Sequence, residues 1–137
     1  SSEGHLIAAR MSSHNAVAGR VYFPAGSIDD NDIVDGHADY ETNMAREVFE
    51  ETGLKLSDAK VEAKTHLVMA DGSIALFRRY YFELSTAELL KQIEANLALQ
   101  VEPELSEIIP VTQAGVMGQA TPSYVRAFAD WHFDNQQ

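Results

Sequence analysis

Arg46-Glu47-Val48-Phe49-Glu50-Glu51-Thr52-Gly53-Leu54 is the stretch on which the reading of this chain turns. It closes a segment, residues 40–52, whose apolar spacing predicts an α-helix. Met44, Val48 and Thr52 fall four apart, with Ala45 and Phe49 beside them, as one stripe. Asp39 serves as N-cap, because its short carboxylate can accept from the unpaired N–H groups of the first turn. Gly53 suits the position after the last turn, where a left-handed backbone is cheapest without a Cβ. Residues three and four apart share a helix face, so Glu47, Glu50 and Glu51 converge while Val48 and Phe49 turn toward the core. Three like charges on one face repel, and a hard divalent cation with oxygen ligands removes that repulsion. Arg46 precedes Glu50 by four residues and can orient its carboxylate. Taken alone, the three glutamates also fit an ordinary solvated acidic face.

Outward from this helix, residues 25–38 (AGSIDDNDIVDGHA) are rich in Asp, Asn and Gly and read as a loop. Before it, residues 5–9 (HLIAA) and 20–23 (RVYF) read as strands, the second stopped by Pro24. Residues 61–70 and 74–84 read as the arms of a hairpin around Asp71-Gly72, a pair suited to a type I′ turn. Residues 86–99 place Leu89, Leu90, Ile93 and Leu97 at helical spacing behind a cap at Ser85 or Thr86. Residues 107–111 read as a last strand, and 123–133 as a helix with Tyr124, Phe128 and Trp131 on one face. The order β-β-α-β-β-α-β-α predicts an α/β domain with helices packed on a mixed β-sheet. No repeat, linker or low-complexity tract interrupts it, so residues 1–137 read as one domain. The abrupt start before His5 leads us to expect an opening strand missing from this sequence.

With 45% apolar and 23% charged residues, the chain has the material for an ordinary core. No apolar run approaches the roughly 18 residues that cross a bilayer, and nothing resembles a signal peptide, so no membrane partner is expected. The lack of cysteine excludes disulfides, thiolate metal sites and cysteine nucleophiles, and fits a cytoplasmic enzyme of the bacterial type. A net charge of −11 argues against stable nucleic acid binding, which depends on Lys and Arg displacing counterions. A phosphate ligand needs a local reversal of that field, and a metal ion held by carboxylates provides one.

At every defined position residues 46–54 match R-E-U-x-E-E-x-G-U, with U aliphatic, and so resemble the second half of the Nudix hydrolase signature. Tyr22-Phe23-Pro24-Ala25-Gly26 resembles the family's strand-end F-P-G-G, with Ala25 in place of the first glycine. The likeness is close over residues 6–54 and rests on element order beyond them. It implies the Nudix fold, a mixed sheet between helices (α/β/α). It also implies a pyrophosphohydrolase that uses Mg²⁺ or Mn²⁺ to cleave a nucleoside diphosphate linked to another group. By the same resemblance Glu47, Glu50 and Glu51 ligate the metal beside the carbonyl of Gly26. Two departures stand out. The interval from Gly26 to Arg46 is six residues longer than the signature has, and Ala38 occupies the place of its first glutamate. Asp29, Asp30, Asp32, Asp35, Asp39 and Glu41 are available as substitutes, Asp35 or Asp39 first among them.

The family's general base is either a signature glutamate or one from a later loop. Here the late candidate is Glu104, then Glu102, in an acidic stretch that also reads as a plain solvated loop. Arg78 and Arg79 lie on a strand, where alternation sends one to each face and one toward a phosphate or base. Surface salt bridges are their ordinary use. His37, in the long loop, is a further substrate-binding candidate; the remaining histidines show no paired ligand spacing and read as structural or exposed. Leu6 to Arg10, Gly19 and Phe23 to Gly26 follow the spacing of the motif found in coenzyme A diphosphatases, but Met11 and Asn15 depart from it. A coenzyme A diphosphatase is the leading named alternative, and nucleotide-sugars, dinucleotides and nucleoside triphosphates are also open as substrates. A nucleotide-binding regulatory module and a plain interaction domain are the competing classes, and a homodimer is possible by analogy with the family.

Overall fold

The computed structural model describes residues 1–13, 17–24, 33–34 and 37–136, with 33–34 and 37–38 described by backbone alone. Strand β1 (Leu6–Met11) is central to a three-stranded sheet. It is flanked by β2 (Val21–Tyr22) on one edge and by the late strand Leu105–Val111 on the other. Between them come β3 (Ile33–Val34), β4 (His37–Ala38) and helix α1 (Tyr40–Thr52). Then follow a 3₁₀ turn (Leu56–Asp58), β5 (Lys60–Val61), β6 (His66–Ala70), β7 (Ser73–Phe77), β8 (Tyr80–Tyr81) and helix α2 (Thr86–Ala98). The strand Leu105–Val111 is β9, and helix α3 (Ser123–Asp134) follows it.

The α/β class expected from the sequence is met, with three helices and several sheets among the described residues. A mixed sheet is not: among the described residues every strand pairing is antiparallel. The loop expected over 25–38 is also corrected, since β3 and β4 pair within it, Ile33 opposite Ala38.

Strand β1 shows why the sheet sits at the centre. Side chains alternate across a strand, so one strand can feed two cores. Ala9 and Met11 join Ile93 of α2 with Leu105 and Ile108, backed by Leu54, Leu90 and Leu97. Ala8 joins Val21 and Val111, with Phe133 of α3 packed against them. Alanine at both 8 and 9 lets the covering side chains come close to the strand backbone. Full burial of Leu89 and Ile93 on α2 stabilises the fold by about 2 kcal/mol each relative to exposure.

The second half is a hairpin with a break. Asp71 and Gly72 both have positive φ, 50° and 78°, as a type I′ turn requires, and glycine takes the second place without a Cβ penalty. The two expected long arms are each interrupted: β6 pairs with β7, and β5 separately with β8. Helix α3 covers one face of the β6–β7 hairpin. The rings of Phe77 and Phe128 stack at 4.3 Å, Phe23 meets both edge-on, and Trp131 lies 4.4 Å from the His66 ring.

Candidate functional site

Helix α1 begins and ends where its local signals place it. The Asp39 carboxylate accepts from Thr42 N at 3.0 Å and from the Thr42 hydroxyl at 2.6 Å. At the other end Gly53 takes φ 77° and donates its N–H to the Phe49 carbonyl. Thr52 ties the last turn, donating its hydroxyl to Val48 O at 2.6 Å while accepting from Leu54 N at 3.1 Å. A Cβ on Gly53 would lie 2.6 Å from Cγ of Asn96, so this glycine also sets how closely α2 approaches.

The buried side of α1 differs from the expected stripe. Asn43, Val48, Glu51 and Thr52 are buried, but Phe49 is 50% exposed. At about 100° per residue, the arc from Asn43 through Glu51 to Thr52 leaves Phe49 outside it. The expectation that Phe49 turns to the core is therefore wrong: the helix packs by the side that carries Glu51. The three carboxylates stand in graded exposure, with Glu51 at 7%, Glu47 partly buried and Glu50 exposed. A carboxylate enclosed as Glu51 is sits there only at a cost that a charge or donor must offset. Arg46 Nη2 lies 3.5 Å from Glu47 Oε1, so the arginine pairs with its immediate neighbour.

Among the described residues, no three His, Asp or Glu side chains converge on a point able to hold a metal ion. The helix gathers the trio on one flank without closing a cage around an ion. Gly26, whose carbonyl the resemblance assigns to the metal, lies outside the described residues, as do Asp29, Asp30, Asp32 and Asp35. The donor chemistry nevertheless fits Mg²⁺ or Mn²⁺, which take carboxylate oxygens. Oε2 of Glu51 is shielded from water, a setting in which an ion–oxygen bond is least diluted by solvent.

The other candidates are dispersed. Glu102 and Glu104 are exposed. Gln100, just before them, donates Nε2 to the Glu50 carbonyl at 3.3 Å and ties the start of that acidic segment to α1. Asp39 is engaged as the helix cap, and Glu41 pairs with Arg78. His37 lies on β4, with its side chain outside the description. Arg10 donates Nη1 to Gly19 O at 2.8 Å and Nε to Glu107 at 3.1 Å, so the two motif residues Arg10 and Gly19 touch.

Arg78 and Arg79 do not sit on one strand facing opposite sides, as the sequence suggested. They fall in the break between β7 and β8, and both reach Glu62: Arg78 Nε to its carbonyl, Arg79 Nε to its carboxylate. Arg79 is the centre of a cluster that sequence reasoning missed. Its Nη1 meets His132 Nδ1 at 3.2 Å and Asn135 O at 3.0 Å, and its guanidinium lies over Trp131 at 4.7 Å. Because a guanidinium only donates, His132 Nδ1 must accept, and Nε2 carries the proton toward Gly4 O, 2.9 Å away. Burial pushes the His132 pKa down, and the Arg79 charge adds to this against the Gly4 hydrogen bond. For Glu62, burial pulls its pKa up, but hydrogen bonds from His66 and Arg79 outweigh it and hold the carboxyl below its usual range. Nothing in the sequence could announce this cluster, since its members are drawn from residues 62 to 135.

No known protein-family model matches the chain, and a search of curated proteins found no match.

Proposed function

We propose that this chain is a Nudix-type pyrophosphohydrolase acting on a nucleoside diphosphate linked to another group, with Mg²⁺ or Mn²⁺ held by Glu47, Glu50 and Glu51. The observation that carries the reading is the state of Glu51. A glutamate in a motif of fixed spacing is buried on a capped helix, beside a Glu47 that Arg46 holds in place. A helix selected for stability alone has little use for a buried carboxylate among like charges.

In this reading Glu51 and Glu47 present oxygens from the packed side of α1, and the exposed Glu50 meets the ligand from the solvent side. The divalent ion bound there supplies positive charge to a diphosphate and lowers the pKa of a water molecule. Gln100 bonds the end of α2 to α1, and Glu104, four residues further on and exposed, is the candidate to accept a proton in this reading. Arg78, at the edge of the hairpin and paired with the exposed Glu41, is the arginine able to exchange its partner for a phosphate. Arg79 is held by its own cluster and is not assigned that role. Coenzyme A is not singled out as substrate, because Met11 and Asn15 depart from the motif of the diphosphatases that act on it.

The test is a panel of ADP-sugar, dinucleoside polyphosphate, coenzyme A and nucleoside triphosphate, assayed for released phosphate or monophosphate with each metal. Hydrolysis of at least one compound is expected. Glu50→Gln should lower it by more than the 10–100-fold that loss of an outer partner typically costs. A silent panel points to a regulatory nucleotide-binding module, and activity unchanged in Glu50→Gln removes the mechanism.

A further inference from the structure

The β6–β7 hairpin covers one face and leaves the other bare. Phe77 and His66 pack against α3, while Leu67 (58% exposed), Met69 (69%), Ile74 (69%) and Leu76 (46%) do not. The register sets Leu67 opposite Leu76 and Met69 opposite Ile74, so the four side chains form two adjacent cross-strand pairs and one continuous apolar block. An antiparallel sheet with a wet face alternates apolar inward and polar outward. Here the outward positions are apolar as well, a pattern that a solvated face does not call for.

Charge decides what can cover it. The chain has 21 acidic residues and a net charge of −11, yet residues 65–77 contain one formal charge, that of Asp71. A basic partner is drawn to the carboxylates elsewhere, and an anionic lipid surface is repelled by the body of the protein. A second copy brings an equally neutral face. Contact there keeps the two acidic bodies apart except where neither is charged, and salt screens the rest within about 8 Å.

We propose that this face is a self-association surface, on which a second copy docks hairpin to hairpin about a two-fold axis. Such an interface is isologous, and Met69 and Ile74 of each copy meet the same pair of the other. The four side chains expose on the order of 500 Å² per copy, so docking hides at most about 1,000 Å², below the roughly 1,200 Å² at which stable interfaces begin and within the range of transient ones. The dimer is accordingly weak and reversible. The proposal does not depend on the reaction assigned above.

Sedimentation velocity on the full chain, over a micromolar to submillimolar series, should show the 15.1 kDa species giving way to twice that mass. Ile74→Lys and Leu67→Lys should weaken the association at least about tenfold, as loss of a central contact does, with an unchanged circular dichroism spectrum. Because the chain has no cysteine, Met69→Cys gives a single thiol that a short bis-maleimide should cross-link between copies. Ala127→Cys, exposed on α3, should remain monomeric under the same reagent. This cross-link also serves should a lysine variant fail to fold. A chain that stays monomeric throughout overturns the proposal, as does a dimer that both lysine variants leave intact. Binding of the monomer to phosphatidylcholine vesicles, lost in Ile74→Lys, would assign the face to lipid and overturn it equally.

Discussion

Glu62 accepts twice from Arg79, from the backbone N–H at 2.7 Å and from Nε at 3.0 Å. Both side chains are nearly enclosed, with about a tenth of each exposed. Through Arg79 the pair joins the β5–β8 strands to the end of α3. Breaking a buried ion pair leaves an uncompensated charge, so Glu62→Ala should cost about 3 kcal/mol. For a domain of this length that lowers Tm by about 10 °C. Thermal unfolding checks it, and a double-mutant cycle with Arg79→Ala should return a coupling comparable to the single loss.

His132 makes the fold sensitive to acid. Its folded pKa lies below the ordinary value of about 6.5, so between the two the unfolded chain binds the proton that the folded chain refuses. The stability present at neutral pH is therefore lost as pH falls below about 6.5. Glu62, whose pKa is lowered, contributes stability above the ordinary carboxylate range that disappears only as pH falls through its folded value. Two windows result. His132→Gln offers one amide donor to Gly4 O and one acceptor to Arg79 without titrating. Denaturant midpoints measured across pH should lose the upper window in this variant and keep the lower one.

Gly53 combines a left-handed backbone with a close neighbour. Gly53→Ala should cost about 2 kcal/mol, from the φ of 77° and from the side chain of Asn96. Adding Asn96→Ala should recover the steric part and leave the conformational part of about 1 kcal/mol. Full recovery in the double variant would show that the backbone carries no strain.

Local signals were legible where they were complete. Helix α1 has the bounds that Asp39 and Gly53 announce, because a cap and a left-handed glycine are decided within a few residues. The turn at Asp71-Gly72 and the Ser85 cap of α2 were readable for the same reason. The facing of α1 was not. A Met44, Val48, Thr52 stripe identifies a helix, but its contact with α2 decides which flank is covered, and that flank includes Glu51 and leaves out Phe49. The hairpin break at Arg78 and Arg79 escaped notice because Glu62 takes hydrogen bonds from both, a tertiary competition invisible to strand alternation. The placing of Glu47, Glu50 and Glu51 on one helix flank was legible from their spacing. Their graded burial came only from packing.

The proposed reaction requires the carboxylates of α1 to hold a divalent ion. Binding of Mn²⁺ to the full chain, followed by the electron paramagnetic resonance of the free ion, tests it without reference to any substrate. Saturable binding is expected, weakened at least about tenfold by Glu50→Gln and by Glu51→Gln, since a ligand oxygen is removed while the fold is kept. Equal Mn²⁺ binding by the native chain and both variants would contradict it.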